Sequence, residues 1–246
     1  MKKIGVYSII CCCFLYSCLS FDLEPAPFLQ GHFLGVMSHN SYEVFRDTSP
    51  NELAETVYST GAVSLELDIH HFNNALKVSH VGIGLSGKNS LEDYLEGTGC
   101  YRDYGLSAPW TLLIDLKTGG DTFTKAKALL EQYNIDLSRV TFVIGDFSSY
   151  SFEDLTGSFY IEGGEPDFND PEKLDKISYF SVSWTACVSQ TPAEYIAQAH
   201  AMGKPIAFWN TPDNEKTWEF LYRSGADLIK TDHPERCVAF IKTLQN

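Results

Sequence analysis

The chain has 246 residues, a formal charge of −14, 44% hydrophobic residues and 20% charged ones. That hydrophobic share excludes a disordered chain, and the length is ample for one large domain with a substantial core. The acidic balance argues against nucleic acid as a partner, because phosphates would be repelled, and against broad electrostatic docking on anionic lipid.

At the amino end, Lys2 and Lys3 precede a mostly apolar run from Ile4 to Leu15, followed by Tyr16-Ser17-Cys18. A positive n-region before a short h-region predicts an export signal over residues 1–17. Leu15-Tyr16-Ser17-Cys18 also resembles a bacterial lipobox. That resemblance implies cleavage before Cys18 and a diacylglyceryl group on its sulfur. The product would be an exported bacterial lipoprotein, membrane-anchored in the periplasm or at the cell surface. Plain secretion and an uncleaved anchor are the other readings, and the run is short for a span. Loss of residues 1–17 removes Lys2 and Lys3 and no acid, taking the charge from −14 to −16. A covalent anchor suits a protein without a basic patch. Residues 18–30, with Pro25 and Pro27, read as the lipidated cysteine and a tether, and residues 31–246 as a single domain. Outside the leader, Cys100, Cys187 and Cys237 lack metal-ligand spacing, which leaves one disulfide or buried free thiols.

Phe33 to Met37 is a short apolar strand ending in Ser38-His39-Asn40-Ser41-Tyr42. Pro50-Asn51-Glu52 opens a helix through Tyr58, stopped by Gly61. From Val63, apolar Val63, Leu65, Leu67 and Ile69 alternate with Ser64, Glu66, Asp68 and His70, which predicts a strand. Phe72-Asn73-Asn74 reads as a turn, and the chain returns through Leu76 and Val78 to His80. Ser90 caps a helix at Leu91-Glu92-Asp93-Tyr94-Leu95, and Thr111 to Lys117 is a strand. Thr122 to Tyr133 is an amphipathic helix, Val140 to Ile144 a strand, and Ser158 to Ile161 another. A strand over Tyr179–Trp184 precedes a helix that starts at Thr191-Pro192-Ala193-Glu194 and runs to Met202. The strand Pro205–Trp209, the helix Asn214–Arg223, the strand Asp227–Lys230 and the helix Glu235–Leu244 complete the chain.

Eight short apolar strands, most followed by a helix, predict an α/β chain folded as a single (β/α)₈ TIM barrel. The helices after the fourth and fifth strands are poorly marked. Active sites of such barrels lie at the carboxyl ends of the strands. There the chain carries His39, Glu66, Asp68, Asp115, Lys117, Asp146, Glu162, Trp184, Trp209, Lys230 and Asp232.

Glu66 and Asp68 share one strand face, and adjacent carboxylates repel unless a proton or cation lies between them. Oxygen ligands at that spacing suit a hard cation such as Ca²⁺ or Mg²⁺, although alternating acids also mark a plain solvated sheet face. Asp115, from another strand, would be the third carboxylate, and Lys117 beside it could meet a phosphate oxygen. His39 and His80 could flank the scissile bond, one as base and one as acid. Trp209 could stack on substrate, and His70 could orient a ligand.

Ser38-His39-Asn40-Ser41-Tyr42, Leu65-Glu66-Leu67-Asp68 and His80 resemble the catalytic half of phosphoinositide-specific phospholipases C. Trp209 and the stretch from Gly225 through Ala226, Asp227, Leu228, Ile229, Lys230, Thr231, Asp232 and His233 to Pro234 look more like glycerophosphodiester phosphodiesterases. Both are TIM-barrel phosphodiesterases of one superfamily. The resemblance implies His39 and His80 as the catalytic pair. It implies one divalent cation, Ca²⁺ or Mg²⁺, on Glu66, Asp68, Asp115 and Asn40, with Lys117 and Trp209 toward the substrate. Asn40 stands where glycerophosphodiesterases usually have arginine, and Asp115 where they usually have glutamate. The implied activity is hydrolysis of a glycerophosphodiester or phospholipid headgroup by a monomer. The alternatives are a phosphatidylinositol-type phospholipase C on intact membrane lipid, or a lipid-anchored binding barrel without turnover.

Overall fold

The computed structural model describes residues 33–39, 59–97, 112–144, 160–164 and 168–245. The predicted leader, Cys18, the tether, the helix at 50–58, Cys100 and the segment at 145–159 lie outside them.

The strands are β1 (Gly35–Ser38), β2 (Ser64–Phe72), β3 (Ala75–Val78), β4 (Leu112–Leu116), β5 (Val140–Ile144), β6 (Tyr160–Gly163), β7 (Tyr179–Ser183), β8 (Ile206–Trp209) and β9 (Leu228–Thr231). All but β3 are parallel to their neighbours, in the order β1-β9-β8-β7-β6-β5-β4-β2, and a β1–β2 pairing closes the ring. The result is the eight-stranded barrel that the alternation of strands and helices implies. β3 is additional, an antiparallel hairpin strand on the upper half of β2, with Ile69 opposite Val78. Its turn needs two left-handed residues, and Asn73 (φ 49) and Asn74 (φ 63) supply them.

The described helices are α1 (Leu91–Gly97), α2 (Thr122–Gln132), α3 (Pro171–Leu174), α4 (Pro192–Ala201), α5 (Glu215–Ser224) and α6 (Pro234–Gln245). Their ends follow capping chemistry. At α1, the Ser90 hydroxyl accepts the Asp93 N–H at 3.2 Å, while the Asp93 carboxylate accepts the Ser90 N–H at 2.7 Å. Thr191 and Glu194 make the same reciprocal pair at α4. Asn214 caps α5, and Gly225 ends it in the left-handed region at φ 92. The poorly marked helix after the fifth barrel strand is α3, only four residues long.

The alternation along each strand sorts the side chains. Leu65, Leu67 and Ile69 point outward and pack with Leu112, Ile114 and Phe142 under Phe123 and Leu130 of α2. The rings of Phe123 and Phe142 meet edge to face at 4.9 Å. A second outer cluster joins Phe180, Val182, Phe208 and Ile229 to Ile196 of α4, Trp218 and Leu221 of α5, and Ile241 of α6. Met37, Leu113, Tyr179, Ala207 and Leu228 form a third, separate cluster that plugs the barrel interior. Above this plug the inward positions turn polar. Cys187 and Cys237 are buried free thiols, one of the two states open from sequence.

Candidate active site

Period two along β2 sends Glu66 and Asp68 inward, and both are buried, 3% and 0% exposed. Asp68 lies in register with Asp115 of β4, so the third acid arrives from the neighbouring strand at the same height. Oxygens of Glu66, Asp68 and Asp115 all lie within 4.8 Å of one another. The Lys117 N–H bonds to Ile69 O at 2.9 Å, which extends the ladder just past β4 and carries its ammonium over the cluster. Nζ stands 2.9 Å from Asp68 Oδ1 and 2.5 Å from Asp115 Oδ2.

The electrostatics follow from this crowding. Burial pushes the Asp115 carboxyl up to about 6, with Glu66 and Asp68 adding to the rise and Lys117 opposing it. Burial acts the same way on Asp68, but His80 and Lys117 outweigh it and hold that group below its ordinary value. Burial disfavours the Lys117 ammonium, yet Asp115 and Asp68 raise its pKa nonetheless. Three converging carboxylates, two of them buried, thus require positive charge, and an ammonium group already bridges two of them. This donor set fits a hard divalent cation on Glu66, Asp68 and Asp115.

The two histidines reach this cluster from opposite neighbours. The His39 N–H donates to Thr231 O at 3.0 Å, so the ring leaves β1 directly at the mouth. Nε2 is 3.9 Å from Glu66 Oε2, and Nδ1 is 3.0 Å from Asp232 Oδ1. Burial lowers the His39 pKa, but Glu66 and Asp232 outweigh it and the net shift is upward. The Trp209 ring stands beside His39, centroids 6.0 Å apart and tilted by 36°. On the other side, the Ser79 N–H donates to Asp68 O at 2.9 Å and fixes the chain just before His80. His80 Nδ1 then lies 3.5 Å from Asp68 Oδ2. The sequence-predicted His39, Glu66, Asp68, His80, Asp115, Lys117 and Trp209 therefore come together at one mouth. Asn40 and Asp146 lie outside the described residues.

Other histidines have separate roles. His70 packs under the following loop, where a Cβ on Gly82 would fall 2.8 Å from His70 Cε1. His71 is held by Asp121 at 3.2 Å and Lys125 at 2.8 Å. His200 bonds Asp227 at 2.8 Å, and the same Asp227 oxygen accepts the Ile206 N–H. Two features had no assigned role in the sequence. Asp232 stands in the sequence as a strand-end acid within the glycerophosphodiesterase-like stretch, and it is the partner of His39. Glu162 and Lys230 stand there as strand-end residues, and they form an ion pair inside the barrel, joined by the Tyr179 hydroxyl.

No protein-family model matches the chain, and no curated protein matches it. Solved structures do. A glycerophosphodiester phosphodiesterase from Parabacteroides distasonis superposes at a TM-score of 0.68 with 17% identity, over 88% of this chain and 100% of that one. One from Agrobacterium tumefaciens gives 0.60 with 18% identity, over 85% and 100%. One from Thermotoga maritima gives 0.57 with 17% identity, over 87% and 100%. Across nearly the whole length of each, the chain has the TIM-barrel fold of these glycerophosphodiester phosphodiesterase structures.

Proposed function

We propose that the protein is a metal-dependent phosphodiesterase that hydrolyses a glycerophosphodiester or phospholipid headgroup. One observation carries this reading: His39 at 3.9 Å from Glu66 and His80 at 3.5 Å from Asp68 flank a three-carboxylate cluster at the barrel mouth. The shared fold with three glycerophosphodiester phosphodiesterases adds support.

Glu66, Asp68 and Asp115 would hold Ca²⁺ or Mg²⁺, with Asn40 as a further ligand. When bound, the cation supplies charge neutralisation at the non-bridging phosphate oxygens. Lys117 adds an ammonium on the same side. Asp232 accepts the Nδ1 proton of His39, which leaves Nε2 with its lone pair toward the mouth. His39 is thus the base that takes a proton from water or from a neighbouring hydroxyl of the substrate. His80, whose Nδ1 faces Asp68, donates a proton from its other ring nitrogen to the leaving alcohol. Trp209 forms the wall beside His39 on which an apolar part of the substrate can rest.

Hydrolysis of bis(p-nitrophenyl) phosphate and of glycerophosphocholine, with and without a chelator, tests this. Activity should vanish on complete metal removal and return with Ca²⁺ or Mg²⁺. Turnover that survives His39→Ala together with His80→Ala would exclude the pair. Turnover indifferent to metal removal would reject the cation.

A second reading, cleavage of intact membrane lipid, has one observation in its favour. Val81 and Ile83, 56% and 76% exposed, follow His80 on its loop. Turnover of phosphatidylinositol vesicles well above that of the free diester would select it. Export and lipidation at Cys18 complete the proposal, supported by the residue pattern at positions 2–18. No helix among the described residues is long and apolar enough to cross a membrane. Mass spectrometry of the mature amino terminus tests the anchor, and light scattering tests the monomer.

A further inference from the structure

The barrel interior holds a second charged group beneath the mouth. Leu228, Lys230 and Asp232 alternate along and just past β9, so they share its inward face. Leu228 belongs to the apolar plug, and Asp232 reaches His39 at the rim. Lys230 therefore sits between plug and mouth, 2% exposed. Its ammonium donates to Glu162 Oε2, and the Tyr179 hydroxyl donates to the same oxygen at 2.5 Å. Glu162 is 8% exposed and Tyr179 fully buried.

An ammonium at this depth needs a carboxylate. The candidates are Glu162 and the acids just above it, Glu66 and Asp115, whose charges act on Lys230 as well. Those two are the acids that would hold the cation. Lys117 already takes one oxygen each of Asp68 and Asp115, so a second ammonium turned to the mouth acids would take a further oxygen that the cation needs.

We propose that Glu162 is a positioning residue that tethers the Lys230 ammonium below the metal carboxylates, keeping it as a background charge rather than a competitor for the cation. Tyr179 fixes the Glu162 carboxylate in the orientation that does this. The inference rests on the reading that Glu66, Asp68 and Asp115 bind a divalent cation.

Calorimetric titration of the metal-free full chain with Mg²⁺, and separately with Ca²⁺, tests it without any turnover. Glu162→Gln should weaken cation binding by about tenfold or more, the scale of outer-shell substitutions at metal sites. Adding Lys230→Met to Glu162→Gln should bring the affinity back to within about threefold of wild type, because the competitor is gone while the acids remain. A merely structural ion pair would leave the cation affinity of the folded Glu162→Gln protein unchanged. Should Glu162→Gln fail to fold, Glu162→Asp carries the same test, with a smaller loss that Lys230→Met again reverses. Wild-type protein that binds neither cation would overturn the cation reading and this inference with it. Wild-type binding with unchanged affinity in the Glu162 variant, or a loss that Lys230→Met does not reverse, would overturn the tether alone.

Discussion

The contact between His39 and Asp232 can be tested by Asp232→Asn. The side chains meet at 3.0 Å, in a pair whose Asp232 side chain is 38% exposed. Two unit charges at that separation interact by about 1.4 kcal/mol in bulk water and about 5.5 kcal/mol at an effective dielectric of 20. The exposure of Asp232 places the pair toward the watery limit, near the range of about 1.5–3 kcal/mol for hydrogen bonds to charged groups. At about 1.4 kcal/mol per tenfold, kcat/KM should fall by roughly 10- to 100-fold. Asparagine can also turn its NH₂ toward Nδ1, which favours the tautomer with the proton on Nε2 and so blocks the base. The loss should therefore fall mainly on kcat, while KM and the melting temperature stay near wild type. The pH profile gives an independent readout. Asp232 is one of the groups that raise the His39 pKa. Removing its negative charge disfavours the imidazolium, so the acid limb of the kcat profile should move to lower pH. The assay is steady-state hydrolysis of glycerophosphocholine between about pH 5 and 8, the range in which an ordinary histidine titrates. A variant within twofold of wild-type kcat/KM, with the acid limb unmoved, would refute the pairing as part of the chemistry.

Three further substitutions probe other parts of the molecule. His80→Ala should cut kcat on an alkyl diester by at least about 100-fold, and far less on a p-nitrophenyl ester, whose leaving group needs no proton. Equal losses on both would remove His80 as the acid. Gly82→Ala puts a Cβ at φ +60 and 2.8 Å from His70 Cε1, on the loop that carries His80. It should cost roughly 1 kcal/mol, lower the melting temperature by about 2–4 °C and reduce kcat, whereas an unchanged melting temperature would contradict the strain. Phe142→Ala empties a fully buried site against Phe123 and should cost about 3–5 kcal/mol in urea unfolding, with a cost under about 1 kcal/mol disproving tight packing there.

The barrel was legible because each strand advertises itself locally. Period two at Val63–His70 and apolar runs such as Val140–Ile144 are properties of adjacent residues, and the structure returns β5 over those five positions. Helix ends were equally local, since Ser90, Thr191 and Asn214 cap within three residues of themselves. Strand ends are less legible. The apolar pattern ends this strand at Ile161, whereas Glu162 lies inside β6, because the pattern alone does not say where neighbouring strands stop pairing. The hairpin at Asn73–Asn74 was visible as a turn, and its two left-handed residues explain why the chain doubles back to deliver His80.

Pairings across the barrel were a different matter. His39 and Asp232 are separated by 193 positions, and Glu162 and Lys230 by 68. Asp232, Glu162 and Lys230 each have an ordinary reading in their own segments: an acid or a lysine at the end of a strand. What joins them is ring closure, which sets β9 against β1 so that Met37 meets Lys230 and Ser38 meets Thr231. Only then is His39 carried to Asp232, one step beyond that last pair. The same closure leaves Lys230 inside the barrel, where water cannot stabilise its charge and a buried carboxylate must. A lysine that reads as one more strand-end cation is therefore committed by the fold to Glu162.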